Sequence, residues 1–505
     1  MPDSRAVEAG HRSANLAGLV AAAAAATPQR PALLAGPIRW TWADLDALLD
    51  VAAAGLRAAD LRIGDRVALL ATNAPGFIRC YLGALRAGLV AVPLDHHAAG
   101  PEVATALNET GARLLVADPG TEAAARSGAA DGSARLVVIG STGPDGLDVL
   151  LAAGRPGPLD PPGPGGEAIA VLLQTAGTAG RPKRAMLSHR ALLANLDQCA
   201  ALDPAPVTPS DTVLLALPLF HVFGLNAVLG QALHAAATVV VATDPDPVAT
   251  LTLVADERVT SVAGTPSMFA AWAAQPAAAE ALAGVRVLVS GSAPMRSEAA
   301  EAFRAATGKP VWQGYGLTEA APVVSASMRS IPGSVGAPLP GIEIRLLDAA
   351  GAPVTDGDPG ELGIRGPNLF SGYWPDGHGG PGPDGWFATG DVGWADPDGN
   401  LFMVSTRSDV IVVSGFSVYP GEVEDVVAAM PGVREAAVVA VPDEGTGQAV
   451  KVFVVGDVAL DTDAVRQWCA ARLGRFKVPR QVEFVAELPR SVAGKIARGR
   501  LRGLE

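Results

Sequence analysis

Four short stretches combine glycines with hydroxyl, carboxylate or amine side chains, the groups that hold a nucleoside triphosphate and steer its chemistry. The first runs from Leu172 to Lys183 and follows the apolar segment Ala168 to Leu173. Gly177 and Gly180 permit tight turns and let backbone N–H groups approach an anion, while Thr175 and Thr178 offer hydroxyls and Lys183 a positive charge. This suits a loop around ATP phosphates, although the spacing is not the Walker pattern and an ordinary Gly-rich turn would look similar. The second, Gln313 to Glu319, sets Thr318 beside Glu319; a carboxylate next to a hydroxyl is the hard oxygen set that Mg²⁺ prefers. The third, Asp384 to Asp391, presents an Asp on a Gly turn, able to accept from both ribose hydroxyls or to serve as a plain Asx-turn residue. The fourth, Leu488 to Ile496, offers Lys495 after Gly494; alone, such a lysine is more often a solvated one.

The elements that must position these groups alternate between two periods. Trp42 to Ala59 has Leu45, Leu48, Leu49 and Ala52 at helical spacing. After a turn at Ile63-Gly64-Asp65 come a strand-length run, Val67 to Leu70, a helix, Ala74 to Ala87, ended by Gly88, and a second run, Leu89 to Pro93. Apolar runs recur at Arg113 to Ala117, Arg135 to Ile139, Val213 to Leu217, Thr238 to Ala242 and Val285 to Ser290, a rhythm that predicts mainly parallel sheets. The Pro- and Gly-rich stretch from Gly154 to Gly166 reads as a surface loop. Beyond Ile331 the runs shorten, as in an antiparallel β-subdomain. The predicted architecture is α/β: a large domain over 1–404, a hinge at 405–409, and a small mobile α+β domain over 410–505.

Bulk composition excludes several classes. Hydrophobic residues are 49% and charged ones 18%, a globular balance. A net charge of −13 with no basic stripe excludes a nucleic-acid binder. Three widely spaced cysteines, Cys80, Cys199 and Cys469, exclude a disulfide framework and point to a reducing cytoplasm. Leu16 to Ala26 is apolar but too short to span a bilayer, and Asp3 and Glu8 precede it, so a packed N-terminal helix is expected rather than a signal peptide; no membrane span is predicted.

In order, and with Leu217-Pro218-Leu219-Phe220-His221-Val222-Phe223-Gly224, Ser290-Gly291-Ser292-Ala293-Pro294, Gly360 to Gly366 and Gly415 to Glu424 among them, the four stretches resemble the adenylate-forming superfamily. The resemblance covers roughly residues 27 to 502. Its texture is similar to that of acyl- and aryl-CoA ligases, including the run Phe476-Lys477-Val478-Pro479. The resemblance implies two half-reactions in one site: a carboxylic acid and MgATP give acyl-AMP and pyrophosphate, then CoA takes the acyl group after the C-terminal domain swings. It implies that Thr175, Gly177, Thr178, Gly180 and Lys183 cradle phosphates, Thr318 contacts the α-phosphate, and Glu319 holds Mg²⁺. Tyr315 with Ser292, Ala293 and Pro294 would flank adenine, and Asp391 would grip ribose. Lys495 would neutralise developing charge, His221 would sit at the acyl pocket, and Gly415 with Phe416 would line the pantetheine tunnel.

The chain departs from that pattern where ATP is gripped and the swing is set. An Arg and an Asp or Lys are usual where Thr406 and Ser408 stand, and Arg407 is one place out of register. Ala176 and Ala179 replace hydroxyls in the phosphate loop, and Arg184 stands where a Gly is common. The expectation is a ligase-family enzyme that forms an acyl-CoA from an acyl-adenylate and CoA, with adenylation weak or lost and an acyl-AMP supplied by a separate adenylating enzyme. The alternatives are an ordinary two-step ligase, a non-catalytic adenylate-binding protein, and a stand-alone adenylation domain that loads a carrier protein.

Overall fold

A computed structural model describes residues 14–155, 157, 163–175, 183–292, 295, 297–328, 331, 333–348, 352–354, 358, 360–405, 411–414, 416–418, 420–456, 460–489 and 501. Two large sheets dominate them. One has six strands, from Arg135–Val138 at one edge to Lys183–Ser188 at the other, parallel except for the last pair. The other has nine; its parallel centre includes Thr212–Leu215, Thr238–Val241, Ser261–Gly264 and Val287–Ser290.

Period-two alternation sorts side chains onto the faces of these sheets. Val67, Leu69, Val213, Leu215, Val239 and Val241 point into one shared core, with Leu45 and Leu49 of helix Trp42–Ala58, Ile78 and Tyr81 of Pro75–Arg86, and Leu192 of His189–Ala200. Their neighbours Ala68 and Leu70 face an outer layer with Val103 and Leu107. Leu214 and Val240 face another, with Phe269, Trp272 and Phe303. The result is two parallel sheets with helices between them and on both outer faces. Helix Trp42–Ala58 starts where the sequence places it because Thr41 and Asp44 form a reciprocal capping box, with N–H···O distances of 3.1 and 2.9 Å.

The helix Gly18–Ala26 is packed as expected, with Val20 and Ala23 buried. Leu16 N–H donates to His189 Nδ1 at 3.0 Å, tying this segment to the core. The shorter runs after Ile331 form a four-stranded antiparallel sheet, Glu343–Leu347 to Leu401–Ser405. Beyond it lies a five-stranded sheet containing Ile411–Val413, Phe416–Val418, Val433–Asp443, Gly447–Gly456 and Gln481–Phe484. Helices Pro420–Ala428 and Thr462–Ala470 cover one face of it around Val438, Val450 and Val452.

Candidate active site

The site gathers at the carboxyl ends of strands, where open α/β sheets bind ligands. Strand Ile169–Thr175 delivers Thr175, and the segment Thr318–Ala320 delivers Glu319. Thr175 Oγ1 donates to Glu319 Oε1 at 3.0 Å, and Tyr373 Oη donates to the same oxygen at 2.7 Å. Glu319 is 1% exposed. Lys183 Nζ lies 4.5 Å from the centre of the Tyr373 ring, so its charge stands beside this oxygen cluster. Across the site Tyr315 Oη donates to Asp391 Oδ2 at 2.6 Å.

His221 is set by the other sheet. Asn73 Nδ2 donates to Leu217 O at 2.8 Å and Asn73 Oδ1 accepts from Leu219 N–H at 3.0 Å, which pins the loop that carries the histidine. Phe223 N–H donates to His221 Nδ1 at 3.2 Å, so the neutral ring carries its proton on Nε2. The ring is neutral at pH 7, because burial pushes its pKa down to about 4.

Two cavities meet here. The first, about 330 Å³, is reached by Thr175, Tyr315, Thr318, Glu319 and Asp391 at its polar end and by Val289, Gly314, Gly316, Leu317, Val323 and Ala326 elsewhere. The second, about 320 Å³, runs past Pro245, Thr265, Met268, Trp272 and Ser414. His221, Phe223, Ser292 and Phe416 line both. Phe416 stacks on Phe220 at 5.8 Å and on Phe476 at 4.7 Å, so a residue of the C-terminal sheet closes the junction.

The structure therefore brings together Thr175, Lys183, His221, Ser292, Tyr315, Thr318, Glu319, Asp391 and Phe416. Gly177, Thr178, Gly180, Ala293, Pro294, Thr406, Arg407, Ser408, Gly415 and Lys495 lie outside the described residues, as do Ala176 and Ala179. Arg184, next to Lys183 on the strand and so facing the other way, is 6% exposed and reaches Glu109 Oε2 at 3.3 Å. Gln313 to Gly316 belong to strand Trp312–Gly316; Gly316 is required there because a Cβ would meet Pro322 O at 2.3 Å.

Sequence reasoning missed Tyr373 as a partner of Glu319. It also missed backbone strain at the site: Ser292, Ala321 and Ser414 hold φ of +69°, +64° and +50°. Asn226 Nδ2, buried, donates to Ala321 O at 2.7 Å and holds one of these turns. A buried Asn within an apolar segment was the available signal.

Among the described residues no helix is long and apolar enough to cross a membrane. The family model of AMP-binding enzymes matches residues 20–374, and that of the AMP-binding enzyme C-terminal domain matches 422–495. A feruloyl-CoA synthase of Amycolatopsis is 37% identical over 94% of this chain and 96% of its own. A long-chain-fatty-acid–CoA ligase of Yersinia pestis is 34% identical over 88% and 86%. Among solved structures, a double mutant of o-succinylbenzoate CoA synthetase from Bacillus subtilis, bound with its product analogue OSB-NCoA, has a TM-score of 0.85 at 26% identity and covers 96% of this chain and 98% of that one. With an α/β body, antiparallel sheets toward the C-terminus and these matches along nearly its whole length, the chain belongs to the AMP-binding enzyme family, in the acyl- and aryl-CoA ligase branch of the adenylate-forming acid–thiol ligases.

Proposed function

We propose that the chain is a two-step, ATP-dependent ligase that joins an apolar, aromatic or long-chain carboxylic acid to CoA. The observation that carries this reading is the junction of two cavities at His221, Phe223, Ser292 and Phe416. One cavity has a polar end suited to a nucleotide and an apolar remainder suited to an acyl group. The other gives a thiol a separate approach to the same point.

In the first step the acid's carboxylate oxygen attacks the α-phosphorus of ATP and pyrophosphate leaves. Asp391 accepts from the ribose hydroxyls, Tyr315 and Ser292 flank adenine, and Thr318 contacts the α-phosphate. The donors around Glu319 are all oxygens, a carboxylate with the Thr175 and Tyr373 hydroxyls, which fits Mg²⁺. Glu319 would hold the ion, which supplies charge neutralisation at the phosphates. His221 offers its Nε2–H to an acyl oxygen. In the second step the CoA sulfur attacks the acyl carbon and AMP leaves, with the pantetheine arm passing Ser414, Gly415 and Phe416. Lys495 serves adenylation when the C-terminal domain, residues 410–505, turns about 405–409.

The match to a complex with a CoA product analogue supports a docked arrangement suited to the second step. Neither the relatives nor the geometry calls for a separate adenylating enzyme, and Arg184 is engaged with Glu109. The test mixes the protein and CoA with a panel of acids plus MgATP, or with chemically made acyl-AMPs, and reads acyl-CoA by mass spectrometry. Product in both arms is expected. Product from acyl-AMP alone would overturn the two-step reading, and a gain in pyrophosphate release on placing Arg at Thr406 and Asp at Ser408 would then locate the defect.

A further inference from the structure

At the rim of the first cavity a buried ammonium is shared by carboxylates from two parts of the chain. Lys477 Nζ donates to Glu102 Oε1 and to Glu422 Oε2, each at 2.9 Å. Lys477 is 7% exposed. Glu422 belongs to helix Pro420–Ala428, packed on the same C-terminal sheet as the turn that carries Lys477. Glu102 belongs to the large body, in the first turn of helix Gly100–Thr110. It is fixed there because its Oε2 accepts from Ala99 N–H at 2.9 Å. The ring stack Phe220–Phe416–Phe476 crosses the same seam, and His97 meets Phe416 and Phe476 edge-on, each at 6.0 Å.

We propose that Lys477 is a positioning residue, and that its ion pair with Glu102 is a latch holding Phe416 over the cavity junction for thioester formation and opening for adenylation. The proposal rests on the two-step reading. Its physical basis is an asymmetry in the triad. A buried ammonium stripped of its partners is strongly unfavourable, yet Lys477 keeps Glu422 in any orientation of the C-terminal unit. Only Glu102 exchanges its cation for water when the seam opens. The latch can therefore release without orphaning a buried charge, and one ion pair plus the ring stack sets its strength. Burial alone would lower the Lys477 pKa, but Glu422 and Glu102 more than offset it and the pKa stands above the usual lysine value, so the charge is permanent at working pH.

Glu102→Gln tests this in the full chain, since the amide oxygen can still cap Ala99 N–H while the charge is gone. Three readouts are taken. Single-turnover thioester formation from a preformed acyl-AMP and CoA should slow about tenfold, the effect of weakening one buried ion pair. Pyrophosphate release from MgATP and acid should hold or rise. Energy transfer between dyes on Val149→Cys and Phe484→Cys, exposed positions in a chain whose three native cysteines are buried, should report a smaller docked population. Lys477→Arg, which keeps the charge, should stay near wild type in all three. Equal slowing of both half-reactions, or an unchanged docked population, would overturn the latch. A wild-type chain that makes no thioester would sink the two-step reading instead, while the dye distances would still decide the latch.

Discussion

Tyr315 reaches across from the nine-stranded sheet to Asp391 of the four-stranded antiparallel sheet, Oη to Oδ2 at 2.6 Å, with the two residues 9% and 7% exposed. Asp391 is fixed from behind as well: its N–H donates to Thr389 Oγ1 at 3.0 Å, and Thr389 Oγ1 donates to Leu362 O at 2.9 Å. The carboxylate is thus oriented before any nucleotide arrives, and the proposed ribose contact requires no rearrangement of it.

Asp391→Asn keeps the shape but removes the charge-assisted acceptor. Loss of one such bond costs about 1–3 kcal/mol, so AMP affinity should fall by roughly tenfold or more. Tyr315→Phe removes only the donor and should cost less. Titration calorimetry with AMP checks both; equal losses in the two variants would mean that Asp391 does not touch the nucleotide.

Glu319 accepts from Thr175 and Tyr373 through Oε1, and the proposed ion would join this all-oxygen set. Glu319→Gln should lower pyrophosphate release by on the order of a hundredfold, while thioester formation from a supplied acyl-AMP falls far less. Chelation of Mg²⁺ should separate the two half-reactions in the same way. If EDTA stops the second half-reaction as completely as the first, the ion serves a different step.

Much of this arrangement was legible in the chain, and the reason differs by residue. Helix Trp42–Ala58 and the parallel strands follow from apolar periods that burial enforces on both sides, so local pattern and tertiary packing agree. Thr175, Glu319 and Asp391 stood out only because the glycine-flanked stretches that carry them occur together and in order; each stretch alone reads equally well as an ordinary turn. Tyr373 was not: it reaches Glu319 from 54 positions away, and no local period records that meeting. Nor was the contact of Arg184 with Glu109, because spacing alone does not say which way neighbouring side chains face until the strand is known. Lys477 and Glu102, 375 positions apart, could be seen as partners only once two sheets were docked.

The neck between the cavities depends on Phe223, whose ring packs against Gly291 so closely that a Cβ there would lie 2.8 Å from Cζ. Phe223→Ala should open the apolar end and raise kcat/KM for bulkier acids relative to small ones. Gly291→Ala should push the ring inward and do the reverse, with each methylene of misfit worth about 1–3 kcal/mol. An acid panel run on both variants checks the sign; a shift in the same direction for the two would remove Phe223 from the selectivity of the site.

His189 links stability to pH. It is 1% exposed, burial pushes its pKa down to about 4, and its Nδ1 accepts from Leu16 N–H. Unfolded, the ring titrates near 6.5, so between about 4 and 6.5 the unfolded chain binds more protons and stability rises with pH. Lowering the pH through this window should remove about 3 kcal/mol, with no further loss from this group below it. His189→Leu leaves Leu16 N–H without its acceptor and should cost about 1–3 kcal/mol at pH 7. Because the variant cannot titrate at this position, its deficit relative to wild type should shrink as the pH falls from 7 toward 4. Urea midpoints for both proteins across that range give the difference curve, from which other titrating groups cancel. A deficit that stays constant with pH would mean that His189 is protonated equally in the folded and unfolded chains, and that the Leu16 contact holds the N-terminal helix without responding to acid.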